Sequence, residues 1–333
     1  MKVLLVDGTW SLKRHFHRVK DDSDNNAVVF GFLSSLKKVI NQIFPDRVIV
    51  CWDGFNGGKY RHDIYPQYKS NRDKKWDMEV GALSKPKHEM TPKELETLEL
   101  FELRLSVKNF LEDLYIRQVE VDYIEADDLI AHYAINSPEE DEVYIYTRDG
   151  DFPQLISDNI YIINPDSMFA LNKKTYEEKR GHVVDNELLF KCFEGDKSDC
   201  ISGVNGITRD TLIKHFPDIA KEKYTYDRLV EECYEKQKVK KYKVYEKIIN
   251  CRDVLYRNAR LMNLKKPFLN DKALQELSYV RRGKLSSDRS MQTFIQKFLK
   301  NNMTKFLYNQ NIDLFLAPFY HLISKEIENT NKK

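Results

Sequence analysis

Short apolar segments alternate with stretches of helical periodicity through the first half of the chain. Segments 2–6, 47–52, 116–119, 142–147 and 159–164 are short and mostly apolar, which predicts strands. Apolar residues recur every three or four positions at 27–44, at 92–114 and from the acids near 125 to residue 136, which predicts helices. The alternation indicates an α/β fold.

The second half of the chain lacks this alternation. Beyond residue 221 the pattern is mostly helical. Segment 312–316 has apolar and aromatic residues at helical spacing, so we predict a core helix rather than a partner-docking motif. Earlier in the chain, Thr91 and Glu94 have the spacing of a capping box at the start of helix 92–114.

Aspartates follow the first two predicted strands. Asp7 comes directly after 2–6 and Asp53 directly after 47–52, and each is followed by a glycine. Two apolar strands around a helix suggest a βαβ unit with parallel strands, in which both aspartates lie at the carboxyl edge of the sheet. Folds of this kind bind their ligands at that edge.

Three more carboxylates crowd the start of the helix that follows strand 116–119. They are Glu125, Asp127 and Asp128. Acids in a first helical turn cap free N–H groups and suit the helix dipole. Three acids within four residues repel one another unless a cation lies among them. This motif alone leaves capping and metal binding equally open.

Two further pairs of acids lie in the chain. Asp149 and Asp151 can project to the same side of an extended segment, or they can form an Asx turn around Gly150. Asp196 and Asp199 are three residues apart, so one helical turn would place them side by side.

Nine carboxylates therefore fall at strand ends or helix starts. If they converge on one edge, divalent cations are needed to hold them together, and oxygen-only ligands favour Mg²⁺ or Mn²⁺ over zinc. The nine are Asp7, Asp53, Glu125, Asp127, Asp128, Asp149, Asp151, Asp196 and Asp199.

Positive charge and aromatic rings alternate over residues 59–75. Cations pair with phosphates and rings stack on bases, so the pattern favours nucleic-acid binding, with a solvated basic loop as the alternative. Together with helix 92–114, this segment predicts a flap over the sheet edge. The candidate contacts are Lys59, Arg61, Tyr65, Tyr68, Lys69 and Arg72.

A glycine hairpin lies before a predicted helix at 208–215. Such a turn can present backbone groups to a phosphate at the start of a helix, although many ordinary helical turns have the same composition. The hairpin residues that we expect to contact nucleic acid are Gly203, Val204, Gly206 and Ile207.

Composition narrows the class of protein. The chain has 333 residues, is 41% hydrophobic and carries a formal net charge of +2. The small net charge is the sum of the clustered acids and a basic remainder of the chain. The five cysteines show no zinc-binding spacing, which indicates reduced thiols in a cytosolic compartment. No apolar run approaches the roughly 18 residues that a membrane span needs.

Six short motifs resemble, in order, those of the 5′ nuclease superfamily. That superfamily includes flap endonucleases, the 5′ nuclease domains of bacterial polymerase I and the phage exonucleases called RNase H. The resemblance covers about residues 1–220. The motifs are LLVDG at 4–8, WDG at 52–54, YKSNR at 68–72, EADD at 125–128, TRDGD at 147–151 and GDKSD…GVNGI at 195–207.

The resemblance implies a division of the chain into two regions. Residues 1–182 are expected to form a PIN-like nuclease core with a mostly parallel central sheet flanked by helices and a helical arch insertion at about 70–110. Residues 183–333 are expected to form a helical region, which begins with a helix–three-turn–helix DNA-binding element at about 186–216.

The resemblance also implies two divalent ions, Mg²⁺ with Mn²⁺ as a substitute, and K⁺ at the hairpin. Lys69 and Arg72 are expected to meet the scissile phosphate, and Asp149 is expected to be catalytic. Two positions depart from the family pattern, since Cys200 stands where many members have Asn and Thr208 where Gly is usual. One ion would be held by Asp7, Asp53, Glu125 and Asp127, and the other by Asp128, Asp149, Asp151, Asp196 and Asp199.

The function that this resemblance implies is a 5′→3′ exonuclease and flap endonuclease that removes RNA primers and 5′ flaps and leaves 5′-phosphates. Its expected partners are flap or junction DNA, RNA–DNA hybrids, and a single-stranded-DNA-binding protein or sliding clamp, with no membrane. Its expected location is the cytoplasm. If a phage encodes the protein, this is the cytoplasm of the host cell. The alternatives are a PIN-like endoribonuclease and a non-catalytic DNA-junction-binding protein.

Overall fold

A six-stranded sheet forms the centre of the molecule. The computed structural model describes residues 1–19, 24–71, 84–285, 289–308 and 310–331. The strands are β1 Lys2–Asp7, β2 Arg47–Asp53, β3 Arg117–Val121, β4 Glu142–Tyr146, β5 Ile160–Ile163 and β6 Ala170–Leu171. Their order across the sheet is β3-β2-β1-β4-β5-β6.

The sheet is parallel except at one edge. β1 pairs in parallel with both β2 and β4, so that Val6 lies between Val50 and Tyr146. Only the short β6 runs antiparallel, beside β5. All five predicted strands are confirmed, with ends shifted by one or two residues. The predicted mostly parallel sheet is likewise confirmed.

Helices cover the sheet and continue beyond it. Within the described residues, the first six are α1 Gly8–Arg18, α2 Asn25–Ile43, α3 Lys59–Ile64, α4 Pro92–Asp113, α5 Ala126–Ile135 and α6 Lys173–Arg180. Eight more follow: α7 Glu187–Glu194, α8 Arg209–His215, α9 Tyr226–Val239, α10 Lys243–Asn250, α11 Arg252–Met262, α12 Asp271–Arg282, α13 Met291–Lys300 and α14 Ile312–Asn331. A two-stranded hairpin, β7 Gly195–Asp196 and β8 Ile201–Ser202, lies between α7 and α8.

Alternation along β1 divides the core between the two faces of the sheet. Leu4 and Val6 pack with α1, α2, α4, α13 and α14 on one face. Val3 and Leu5 pack with α5 and α12 on the other. Successive strand residues point to opposite faces, so a strand that is apolar throughout must be covered on both sides.

Helix α1 is an element that the apolar pattern did not predict. Its buried residues include Ser11 and His15 beside Leu12 and Phe16, so polar side chains interrupt the apolar periodicity. Asp7 begins the helix, because its side chain accepts a hydrogen bond from the Trp10 N–H. Two other local predictions are confirmed: the capping box at the start of α4, and the core position of segment 312–316 within α14.

A second core lies in the helical region. Helices α7 to α11 bury their own cluster, which includes Phe190, Leu212 and Ile248. Helices α12, α13 and α14 instead return to the two faces of the sheet. A domain boundary at residue 182 stays a prediction. Within the described chain, no helix combines the length and apolar character that crossing a membrane requires.

Candidate active site

Three aspartates lie at the carboxyl edge of neighbouring strands. Asp7 ends β1 and Asp53 ends β2, while Asp149 follows β4 on the other side of β1. Because these strands are parallel and adjacent, the predicted placement of Asp7 and Asp53 at one edge is confirmed.

Backbone contacts bring the start of α5 to the same edge. The Ala126 N–H donates to Asp53 Oδ1 at 3.0 Å. The Gly54 N–H donates to the Ile124 carbonyl at 2.9 Å, and a Cβ at Gly54 would lie 1.8 Å from the Val121 carbonyl oxygen. This close approach of backbones positions Glu125, which is 6% exposed, beside the strand ends.

Several of these carboxylates use one oxygen to fix a local turn. Asp149 Oδ1 accepts the Asp151 N–H at 2.7 Å, which is the Asx turn around Gly150. Asp196 Oδ1 accepts the Asp199 N–H at 3.2 Å in the β7–β8 hairpin. The expectation that one helical turn joins Asp196 and Asp199 is therefore wrong, because the chain reverses between two short strands there.

Burial and mutual repulsion raise the pKa values of the central acids. Burial, with the charges of Asp53 and Asp149, raises the pKa of Asp7 to about 7. Burial and then Asp149 and Asp7 raise the pKa of Asp127 well above its usual range. Burial also raises the pKa of Asp149. These groups disfavour one another's ionised forms, so they share one electrostatic site that requires added positive charge.

Lysine side chains supply positive charge in the structure. Lys69 Nζ lies 2.5 Å from Glu125 Oε1 and 3.8 Å from Asp199 Oδ2. Lys191 Nζ contacts Asp151 and lies 3.4 Å from Asp196 Oδ2. Burial opposes ionisation of Glu125, but Lys69 and Arg61 hold its pKa below the usual value.

Lys191 is the site residue that the sequence analysis missed. It lies on α7, and its position five residues before Asp196 is the only sequence signal for it. Among the residues that the structure describes, no three His, Cys, Asp or Glu side chains surround a common point as in a closed metal site. Ammonium groups lie between the carboxylates instead.

Asp128 lies apart from the acids that it was predicted to join. Both of its oxygens pair with Arg61, at 2.6 Å and 2.9 Å, and Oδ1 also accepts the Phe268 N–H at 3.0 Å. This side chain is 1% exposed. Its predicted role as a metal ligand is corrected to a structural one, because its acceptors are already satisfied.

Arg61 and Tyr68 are corrected in the same way. Arg61 is 5% exposed and also donates to the Leu261 carbonyl and to Glu125, so it cannot reach a nucleic-acid phosphate. Tyr68 is 3% exposed, and its hydroxyl donates to Glu125 Oε2 at 3.1 Å, so its ring cannot stack on a base. The alternation of tyrosines and cations in this segment therefore reflects burial in the core at Arg61 and Tyr68, not contact with nucleic acid.

The DNA-binding roles of three other members of this basic segment stay predictions. Lys59 is exposed and pairs with Asp63 at 2.6 Å. Tyr65 is partly exposed, with the Arg257 guanidinium 4.5 Å from its ring centroid. Lys69 is at the acid cluster. Arg72 and residues 73–83 of the predicted arch lie outside the described residues.

The glycine hairpin forms a tight turn before α8. The Ile207 N–H donates to the Val204 carbonyl at 2.9 Å, and Gly206 has φ of 78°, a conformation that favours glycine. The Ile207 side chain is buried, so this residue presents only its backbone. Lys247 Nζ donates to the Asn205 carbonyl at 2.7 Å, within the turn where the resemblance implied K⁺.

Fold and site together define a nuclease of the PIN-like α/β class: a parallel sheet with clustered carboxylates at its carboxyl edge and a hairpin–helix element beside it. The chain belongs to the 5′-3′ exonuclease family, since the family model described as "5′-3′ exonuclease, N-terminal resolvase-like domain" matches residues 2–183. It is a phosphodiester-hydrolysing 5′ nuclease, and the predicted membership of the 5′ nuclease superfamily is confirmed.

Relatives share more than half of the chain. The 5′-3′ exonuclease of Bacillus subtilis is 30% identical over 242 residues, 69% of this chain and 73% of that protein. The thermostable DNA polymerase I of Thermus aquaticus is 31% identical over 218 residues, 64% of this chain and 23% of the polymerase.

A solved structure shows the same fold. The bacteriophage T5 flap endonuclease, in a pseudo-enzyme–product complex with DNA and metal ions, superposes with a TM-score of 0.61 at 19% identity. The match covers 91% of this chain and 100% of that one. The predicted fold class is thereby confirmed.

Proposed function

We propose that this protein is a divalent-metal-dependent 5′→3′ exonuclease and flap endonuclease that removes RNA primers and 5′ flaps from DNA. The observation that supports this most directly is the convergence of Asp7, Asp53 and Asp149 at the carboxyl edge, where burial and mutual repulsion raise the pKa of Asp7. Lys69 and Lys191 lie against neighbouring acids, and divalent cations would take the place of those ammonium groups.

The acids present fit a pair of Mg²⁺ ions, with Mn²⁺ able to replace them, because the donors are all oxygens. The residues that would hold the ions are Asp7, Asp53, Glu125, Asp127, Asp149, Asp151, Asp196 and Asp199. When bound, such ions polarise the phosphoryl group and lower the pKa of water at the site.

The chain's own cations would act on the substrate. Lys69 has φ of 53°, an unusual left-handed conformation for a lysine, and its N–H donates to the Asp199 carbonyl at 2.8 Å. A strained residue held in place by its surroundings suits a functional role. Lys69, with Arg72, would stabilise the negative charge that develops on the phosphoryl oxygens.

The hairpin would hold the duplex beside the cleavage site. Gly203, Val204, Gly206 and Ile207 would contact the DNA backbone, and Lys59 and Tyr65 would contact the strand nearer the acids. K⁺ at the hairpin stays a prediction, and Lys247 already places one positive charge on the Asn205 carbonyl. A single-stranded-DNA-binding protein or sliding clamp as partner, and a cytoplasmic location, are also proposals.

Replacement of Asp149 with Asn tests the assignment. Loss of one central carboxylate should lower Mg²⁺-dependent cleavage of a labelled flap substrate by at least about 100-fold, while binding of the same substrate without Mg²⁺ is retained. Asp158→Asn is the matched control, because Asp158 is exposed and precedes β5 at the opposite edge of the sheet. Normal turnover by Asp149→Asn would contradict the proposal.

Substrate comparison separates the two rival functions. A PIN-like endoribonuclease would cleave single-stranded RNA in preference to flap, nicked and RNA-primed duplexes. A non-catalytic junction binder would bind flap DNA but release no product with or without Mg²⁺. The proposed enzyme should cleave the flap and RNA-primed duplexes, only with Mg²⁺, and leave 5′-phosphate ends.

A further inference from the structure

One segment outside the acid cluster concentrates positive charge. Residues 236–247, here called the lysine turn, run from the end of α9 into α10 and contain six lysines and one glutamate. Protein surfaces usually intersperse charges of both signs. Like charges at this density repel one another, and a polyanion lying against the segment would relieve that repulsion.

The lysine turn is continuous with the glycine hairpin and α8. Besides the contact of Lys247 with the Asn205 carbonyl, a Cβ at Gly206 would lie 3.2 Å from Lys247 Nζ. The His215 ring, at the end of α8, lies 5.4 Å from the rings of both Tyr242 and Tyr245. A duplex along the hairpin would therefore pass Lys247, and the rest of the lysine turn lies beside the far end of α8.

Three of these lysines are available to a ligand. Lys240, Lys241 and Lys243 are exposed, and no carboxylate in the described part of the chain lies within ion-pairing distance of them. Lys238, by contrast, pairs with Glu235 at 2.7 Å. The Tyr242 ring meets the His215 and Tyr245 rings at steep angles and has Lys240 Nζ 4.8 Å from its centroid, so it is not open for a base to stack on. Cations without stacking rings suit a duplex backbone better than a single strand.

We propose that the lysine turn binds the phosphate backbone of duplex DNA next to the stretch held by the hairpin, and that it sets the duplex length the enzyme requires. This inference rests on the proposed function. Lys243 and Lys247 lie four residues apart on α10, which is about 6 Å along a helix. One DNA strand carries a phosphate for about every 3.4 Å of duplex axis, so this part of the lysine turn alone matches about two of them.

Salt dependence of binding tests the proposal. The triple variant Lys240→Ala/Lys241→Ala/Lys243→Ala would be compared with wild type on flap substrates carrying a duplex of about 6 or about 20 base pairs, without divalent ions. On the long duplex, the slope of log affinity against log salt concentration should fall by about 2 to 3, because each phosphate contact contributes about 0.9. On the short duplex the slope should stay the same.

Matched controls distinguish local contact from overall charge. Lys2→Ala/Lys272→Ala/Lys300→Ala removes the same charge from exposed lysines elsewhere and should leave both slopes unchanged. If the triple variant unfolds at a lower temperature than wild type, the single variant Lys241→Glu replaces it, with an expected slope change of about 1 to 2 on the long duplex.

Two outcomes would overturn the inference. The first is that the triple variant has the same salt-dependence slope as wild type on the long duplex. The second is that its slope falls by the same amount on the long and the short duplex. Neither depends on cleavage. Absence of Mg²⁺-dependent cleavage by the wild-type protein would contradict the proposed function instead, so the two failures can be told apart.

Discussion

Single carboxylates in this protein combine a structural and a chemical role. Asp7 caps α1 with one oxygen, and Asp149 forms an Asx turn with one of its own. An Asx turn and membership of the acid cluster were competing interpretations of Asp149, yet both hold for this residue. A carboxylate has two oxygens, so a local turn can fix its direction while the second oxygen faces the cluster.

His15 provides a pH-dependent contribution to stability. Burial, with Arg14 and Arg18 nearby, lowers its pKa to about 4, and its Nε2 lies 2.9 Å from Ser35 Oγ. In the unfolded chain the pKa is near 6.5, so the unfolded state binds more protons between these values. Stability from neutral His15 is therefore full above about 6.5 and lost as pH falls through about 4.

The variant His15→Gln should lose that pH dependence. Between pH 7 and 4, wild type should lose on the order of 3 kcal/mol more free energy of unfolding than the variant. Urea unfolding at several pH values measures this difference, and the shared acid cluster cancels in the comparison. Parallel pH profiles for the two proteins would show that His15 is not held neutral.

Helices α3 and α5 are joined by a buried ion pair rather than by apolar packing alone. Arg61 of α3 donates to Asp128 and to Glu125, and all three side chains are buried. This contact fixes α5 against the segment that precedes Lys69. The geometry of the acid cluster thus depends on a pair that does not itself belong to it.

Arg61→Leu should destabilise the protein strongly. Loss of the guanidinium leaves the buried Asp128 carboxylate without a counter-charge, which costs about 3–5 kcal/mol of unfolding free energy. Denaturant unfolding measures the loss, and Lys59→Ala, an exposed pair on the same helix, should leave the midpoint unchanged. The double variant Arg61→Leu/Asp128→Leu should recover part of the stability, and no recovery would argue against an unpaired charge as the cause.

The C-terminal helix is part of the nuclease fold in this molecule. Glu326 of α14 pairs with Arg47 of β2 at 3.1 Å and with Arg117 of β3 at 2.7 Å, and all three are nearly inaccessible. Arg117 also donates to the carbonyls of Val280 and Gly283. The C-terminal helix therefore closes the sheet at the edge opposite the acids.

Glu326→Gln should reveal how much the fold depends on this closure. Two buried guanidinium groups would lose their counter-charge, at a cost of about 3–5 kcal/mol. Glu328→Gln, which removes an exposed charge two residues further on, is the control and should leave the unfolding midpoint unchanged. Equal midpoints for both variants in thermal unfolding would mean that α14 contributes little to the stability of the core.

The sequence by itself determined the strands, most of the helices and the acids at their ends. Hydrophobic periodicity and helix capping depend only on residues close together in the chain, so both can be recognised without the fold. Tertiary structure decided which acids cooperate. Asp127 and Asp128 are adjacent, but successive helix residues point about 100° apart, so one faces the cluster and the other faces Arg61. It also decided the roles of Lys69 and Lys191, whose partners are set by the packing of α7 and the loop after α3 against the sheet edge.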